Sequence, residues 1–84
     1  MTEIASEKEE TLLEVGIGRE GVVVAIRGEE RRVERLAAIG IVLGCSVVVR
    51  QRKPVVVIDL GETSVALEPE IAAAISVVLE HTVA

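Results

Sequence analysis

Two side chains are the soft metal-ligand candidates: Cys45, the one cysteine, and His81, the one histidine. A structural zinc site takes four ligands, drawn mostly from those two residue types. A monomer with one of each cannot supply them, so no tightly bound metal is expected. The alternative is a site shared between subunits, in which Cys45, Glu80 and His81 from two chains hold Fe2+ or Zn2+ weakly. Otherwise Cys45 is a small hydrophobe, and His81, beside Glu80 near the C-terminus, is solvated. The same inventory argues against catalysis. A Ser–His–acid arrangement needs a positioned histidine, and only His81 exists. No G-x-x-x-x-G-K-S/T phosphate loop occurs. Asp59 is the sole aspartate, and the paired glutamates fall on a tail and an exposed helix. The chain is expected not to be an enzyme.

The remaining chemistry is cationic. Arg50, Arg52 and Lys53 cluster ahead of Pro54. They are either a solvated hairpin tip that discourages edge pairing or a docking point for an acidic surface. Arg35, near the end of a helical stretch, either bonds carbonyls or an acid there, or meets a partner. These cations sit in a chain of net charge -5 and pI near 4.8. That balance opposes nucleic acid, whose binding requires neutralised phosphates, and opposes anionic lipid surfaces. Phe, Tyr and Trp are absent. Aromatic-lined grooves for proline-rich peptides and base-stacking platforms therefore cannot be built.

What positions these residues is a small aliphatic core. With 84 residues, half of them hydrophobic, one marginal domain is expected. Residues 1–10 carry Glu3, Glu7, Glu9 and Glu10 against Lys8 and read as a flexible acidic tail; residues 11–84 read as a single domain. No secretory pattern or long apolar span is visible. A single cysteine suits a reducing compartment, so a cytoplasmic location without membrane insertion is expected.

Leu12, Leu13 and Val15 form an apolar lead-in. Gly21 to Ile26 is a β-branched run of strand type, continuous enough to suggest burial on both faces or in a tight barrel. From Glu29 to Ile39 the period changes: Val33, Leu36, Ala37 and Gly40 share one helix face, and Gly40 supplies the stop. Gly44 supplies a turn. Ser46 to Arg52, Val55 to Leu60, Thr63 to Leu67 and Ile75 to Leu79 read as strands, with Gly61-Glu62 as a hairpin turn. Pro69 opens a single helical turn. These spacings are too short for parallel βαβ units. They predict a mainly β fold, a small antiparallel barrel of about five strands with one short α-helix. The valine-rich strands offer edges for pairing in a homodimer.

An ordered series of these residues resembles the FeoA family. It comprises Gly21-x-Val23, then Arg35-Leu36-Ala37-Ala38-Ile39-Gly40-Ile41, then Gly44 ahead of Val47-x-Val49. Gly61 ahead of Val65-Ala66-Leu67, and Glu70-Ile71-Ala72 ahead of Ile75-x-Val77, complete it. The series covers roughly Leu12 to Leu79. Three departures stand out. Leu43 replaces a frequent proline, the loop between the central strands shrinks to Gln51-Arg52-Lys53-Pro54, and Glu68 replaces a frequent arginine. The resemblance implies an SH3-like barrel and a non-enzymatic accessory role in ferrous-iron uptake, with the cytoplasmic part of a FeoB-type transporter as partner. The alternative it implies is a transition-metal-responsive domain, like the C-terminal barrel of iron-dependent repressors.

Overall fold

The β-branched runs pair into a single antiparallel sheet. A computed structural model describes residues 9–79. Its strands are β1 (Glu9–Thr11), β2 (Glu20–Ile26), β3 (Ser46–Gln51), β4 (Val56–Leu60), β5 (Thr63–Leu67) and β6 (Ile75–Leu79), in spatial order β1-β6-β2-β3-β4-β5. Two helices, α1 (Glu30–Ala38) and α2 (Pro69–Ala73), interrupt the strand sequence. The fold is mainly β and SH3-like.

Alternation sets the inner face, because successive side chains of a strand point to opposite sides. Val23 of β2, Val47 and Val49 of β3, Val56 and Ile58 of β4, and Ile75 and Val77 of β6 are all essentially inaccessible. Leu12, Val15 and Ile41 enter the same core from loops, Leu36 from α1 and Ala72 from α2. Two bulges help the sheet curl round this core. The β2–β6 register skips Val24, and the β3–β4 register skips Arg50. An extra residue in one strand bends it and increases local twist.

The first bulge corrects one expectation. The continuous apolar run of β2 is not buried on both faces: Val24 is exposed. Two further differences concern number. The sheet has six strands, because Glu9, Glu10 and Thr11 pair with Val78, Val77 and Ser76. This edge pairing is carried by backbone, so the segment shows no apolar alternation. Its presence places Glu9 and Glu10 in the sheet rather than in a tail. The helical turn at Pro69 extends to a five-residue second helix.

The R-L-x-x-I-G-I stretch has a local explanation. Ile39 caps α1; the Gly40 amide bonds the Ala37 carbonyl (3.0 Å) and the Ile41 amide bonds that of Leu36 (2.8 Å). This is a Schellman ending, with Gly40 at φ +103°. Leu36 and Ile41, the pair it joins, are both in the core. Gly44, at φ +92°, then turns the chain back: the Cys45 amide bonds the Val42 carbonyl (3.1 Å) and the Gly44 amide that of Val23 (2.7 Å).

Candidate functional site

The β3–β4 connection gathers the cationic cluster, but its members are held differently. Arg50 stands on the β3 bulge, and its Nε donates to Asp59 Oδ2 on β4. The Ser64 hydroxyl, on β5, donates to Asp59 Oδ1 at 2.6 Å. The Ser64 bond first, and the Arg50 bond second, hold the Asp59 carboxyl below its ordinary value. Arg50 is therefore tied into a chain of contacts across three strands. Arg52 Nη2 donates to the Leu13 carbonyl, anchoring the tip to the β1–β2 connection, and has no carboxylate partner among the described residues. Lys53 has no carboxylate partner among the described residues. Between these side chains lies Ile17, 63% exposed. It shares with Arg50, Gln51, Arg52 and Lys53 a shallow depression of about 520 Å³. An apolar side chain ringed by cations can receive a surface combining acidic and apolar groups.

Arg35 is not part of that tip. It lies in the last turn of α1, beside a separate groove of about 410 Å³ bordered by Leu36, Ile39, Leu67 and Ile71. Arg32, on the same side, pairs with Glu70 at 3.6 Å. The four arginine and lysine candidates thus occupy two surfaces.

Cys45 is half-buried against the core, and its carbonyl accepts the Val23 amide at 2.9 Å. Its position serves packing. Among the described residues no group of three or more Cys, His, Asp or Glu could hold a metal ion. Glu80 and His81 lie outside the described residues.

Sequence reasoning did not identify a third surface. Val24 to Ile26 of β2, Val33 and Ala37 of α1, and Ile41 to Leu43 line an apolar groove of about 340 Å³. Each of these residues reads as core by type. Only the bulge at Val24 and the turn at Gly44 turn some of them outward, and neither can be seen in hydropathy.

The FeoA domain model matches residues 10–79. The chain belongs to the FeoA family. The match takes in α1, α2 and the sheet. A solved iron uptake regulatory protein, FeoA, is similar to this FeoA domain with a TM-score of 0.80 and 25% identity, covering 87% of this chain and 100% of that one. A FeoA-like protein from Clostridium acetobutylicum gives 0.74 and 26% identity, covering 92% and 95%. A manganese-dependent transcriptional repressor gives 0.80 and 23% identity, covering 93% of this chain but 45% of that one. The last likeness concerns the fold alone. No curated protein sequence matches the chain significantly. No helix among the described residues is long and apolar enough to cross a membrane.

Proposed function

We propose that this FeoA domain is a non-enzymatic, cytoplasmic accessory module of ferrous-iron uptake that docks on the cytoplasmic part of a FeoB-type transporter. The observation that carries this reading is the family match over residues 10–79. It is supported by likeness, over the full length of that chain, to a protein described as an iron uptake regulator. The docking surface is the tip formed by Ile17, Arg52 and Lys53. Long cationic side chains around a solvent-facing apolar residue match the polar rim and apolar centre of protein interfaces, and cations at a rim speed encounter with an acidic partner.

The test is direct binding of the purified chain to the cytoplasmic domain of a FeoB-type transporter, with and without ferrous iron. Saturable binding supports the reading, and iron dependence adds a sensing role. No binding under either condition removes it. A second reading draws on the barrel shared with the manganese-dependent repressor: Fe2+ or Zn2+ bridges two subunits through Cys45, Glu80 and His81. Sedimentation then shows a metal-dependent dimer that Cys45→Ala abolishes. A metal-independent distribution sinks it.

A further inference from the structure

The sheet ends at β5, and β5 pairs with β4 alone. Which of its main-chain groups face outward follows from the register. The Val49 carbonyl accepts the Gly18 amide (2.7 Å), and the Val49 amide donates to the Arg19 carbonyl (3.3 Å). Val49 therefore bonds toward the β2 side. Main-chain groups alternate sides along a strand, so Val48 bonds toward β4, and Asp59 opposite it toward β3. Ile58 then bonds toward β5, where Val65 is its partner. Ser64 and Ala66 are left with their N–H and C=O groups directed away from the sheet. The turn agrees: Gly61-Glu62 is a two-residue loop with Gly61 at φ +70°, which closes on a bonded Leu60–Thr63 pair. Thr63, Ser64 and Ala66 are exposed, and no strand of the described residues covers this edge.

A groove adjoins the edge at its C-terminal end. Leu36 and Ile39 of α1, with Leu67 and Ile71, give it an apolar surface. Val65 and Leu67 are less exposed than Ser64 and Ala66 and share the inner face. A residue paired with Leu67 would share that face and lie over the groove. Arg35 stands on the α1 wall, and Arg32 is occupied by Glu70. The β5 wall is acidic at both ends, with exposed Glu62 ahead of the strand and exposed Glu68 after it.

We propose that β5 receives an extended segment of another protein, which adds antiparallel to Ser64–Ala66 as a further strand. The segment carries small or β-branched apolar residues opposite Val65 and Leu67, and Lys or Arg opposite Glu62 and Glu68. Strand addition takes its affinity from main-chain bonds and its selectivity from pockets for alternate side chains. A second copy of this chain is the poorer occupant. To satisfy both edges, Ser64 must pair with Ala66 of the second copy, with Val65 on the two-fold axis. Glu62 then lies opposite Glu68 of the second copy, and like charges directly opposite are destabilising. Charges of this kind keep edge strands from pairing with themselves, and a cationic segment turns each clash into an attraction. The site shares no residue with the docking tip and does not depend on the tip being used.

The test uses random-sequence short peptides displayed on phage, selected against the full chain. Enriched sequences are then synthesised and titrated into isotope-labelled protein by NMR. The expected result is enrichment of alternating apolar centres with Lys or Arg ends, and shift changes concentrated at Thr63–Glu68 and Ile39. N-methylation along the peptide should abolish binding at alternate positions, those paired with Ser64 and Ala66, and be tolerated between them. Ala66→Pro removes an outward amide that β4 does not use, a substitution edge strands tolerate. It should abolish binding and leave thermal unfolding unchanged. Glu62→Gln/Glu68→Gln should bind about fivefold more weakly, from the loss of two exposed ion pairs. No enrichment, uniform tolerance of N-methylation, full binding by Ala66→Pro, or shifts at Ile17–Lys53 or Val24–Ile26 instead would each overturn the proposal. If Ala66→Pro does not fold, the N-methylation scan on the parent protein decides. The transporter-domain assay separates the two readings. Peptide binding without transporter binding leaves the β5 edge and removes the proposed partner, and the converse removes the edge alone.

Discussion

Asp59 joins three strands through one carboxylate. Ser64 from β5 and Arg50 from β3 both donate to it, so the ionised form is favoured in the folded protein and its acidity is raised above the ordinary carboxyl. The consequence for stability follows by linkage. A carboxyl whose folded pKa is depressed contributes stability that is present above its unfolded value and is lost as pH falls through the folded value. The difference in urea midpoint between the parent and Asp59→Asn should therefore be constant near neutral pH. It should shrink as pH drops below the ordinary value of 3.8. With no Trp or Tyr, unfolding is followed by circular dichroism. A difference that stays constant through the acid range would remove the linkage. Core residues behave otherwise: Leu36 is buried among aliphatic neighbours, so Leu36→Ala should destabilise by about 2–5 kcal/mol, with little dependence on pH.

At the scale of elements, α1 depends more on its end than on its start. Glu29 at the N-cap makes no side-chain bond, whereas Gly40 and Ile41 close the C-terminus with two backbone bonds. Gly40→Ala forces a Cβ into the left-handed region, which costs about 1–2 kcal/mol. Ala38→Gly, at the last position of the same helix, should lose no more than about 1 kcal/mol, the penalty for a helix interior. Ranking the two by urea denaturation checks whether the ending or the helical propensity dominates. If Ala38→Gly is the more damaging, the Schellman account fails. This helix was legible in the sequence from the 33, 36, 37, 40 spacing, although of that face only Leu36 is buried. So were the β4–β5 hairpin and the final strand, where β-branched runs meet turn residues. β1 was not legible: Glu9-Glu10-Thr11 joins the sheet through backbone groups, which have no residue signature. Nor was the apolar groove beside α1, because Val24, Val42 and Leu43 have the composition of core. Their exposure depends on a bulge and a turn that only the folded chain reveals. The cationic tip was visible as a cluster. The separation of Arg35 from it, and the capture of Arg50 by Asp59, were not, since both depend on which strands become neighbours.

For the whole molecule the electrostatic question is how a chain of net charge -5 approaches an acidic partner. At physiological ionic strength charges are screened over about 8 Å, so the acids spread over the rest of the surface act weakly at the tip, while Arg52 and Lys53 act at contact range. The local patch, not the net charge, then governs encounter. Lys53→Glu should slow association with the FeoB-type cytoplasmic domain and leave thermal unfolding unchanged, because Lys53 is exposed and unpaired among the described residues. The effect should be largest at low salt and fade as salt rises, as rim charges act chiefly on the association rate. Ile17→Ser should act differently: it removes apolar contact after encounter, so it should raise the dissociation rate with little salt dependence. Arg31→Glu, the same reversal of sign on the exposed side of α1, is the control and should change neither rate. Association and dissociation rates measured separately by surface plasmon resonance across a salt series distinguish these cases. Equal slowing by Lys53→Glu and Arg31→Glu would mean that the partner senses only the total charge, and the tip would lose its role as the docking point.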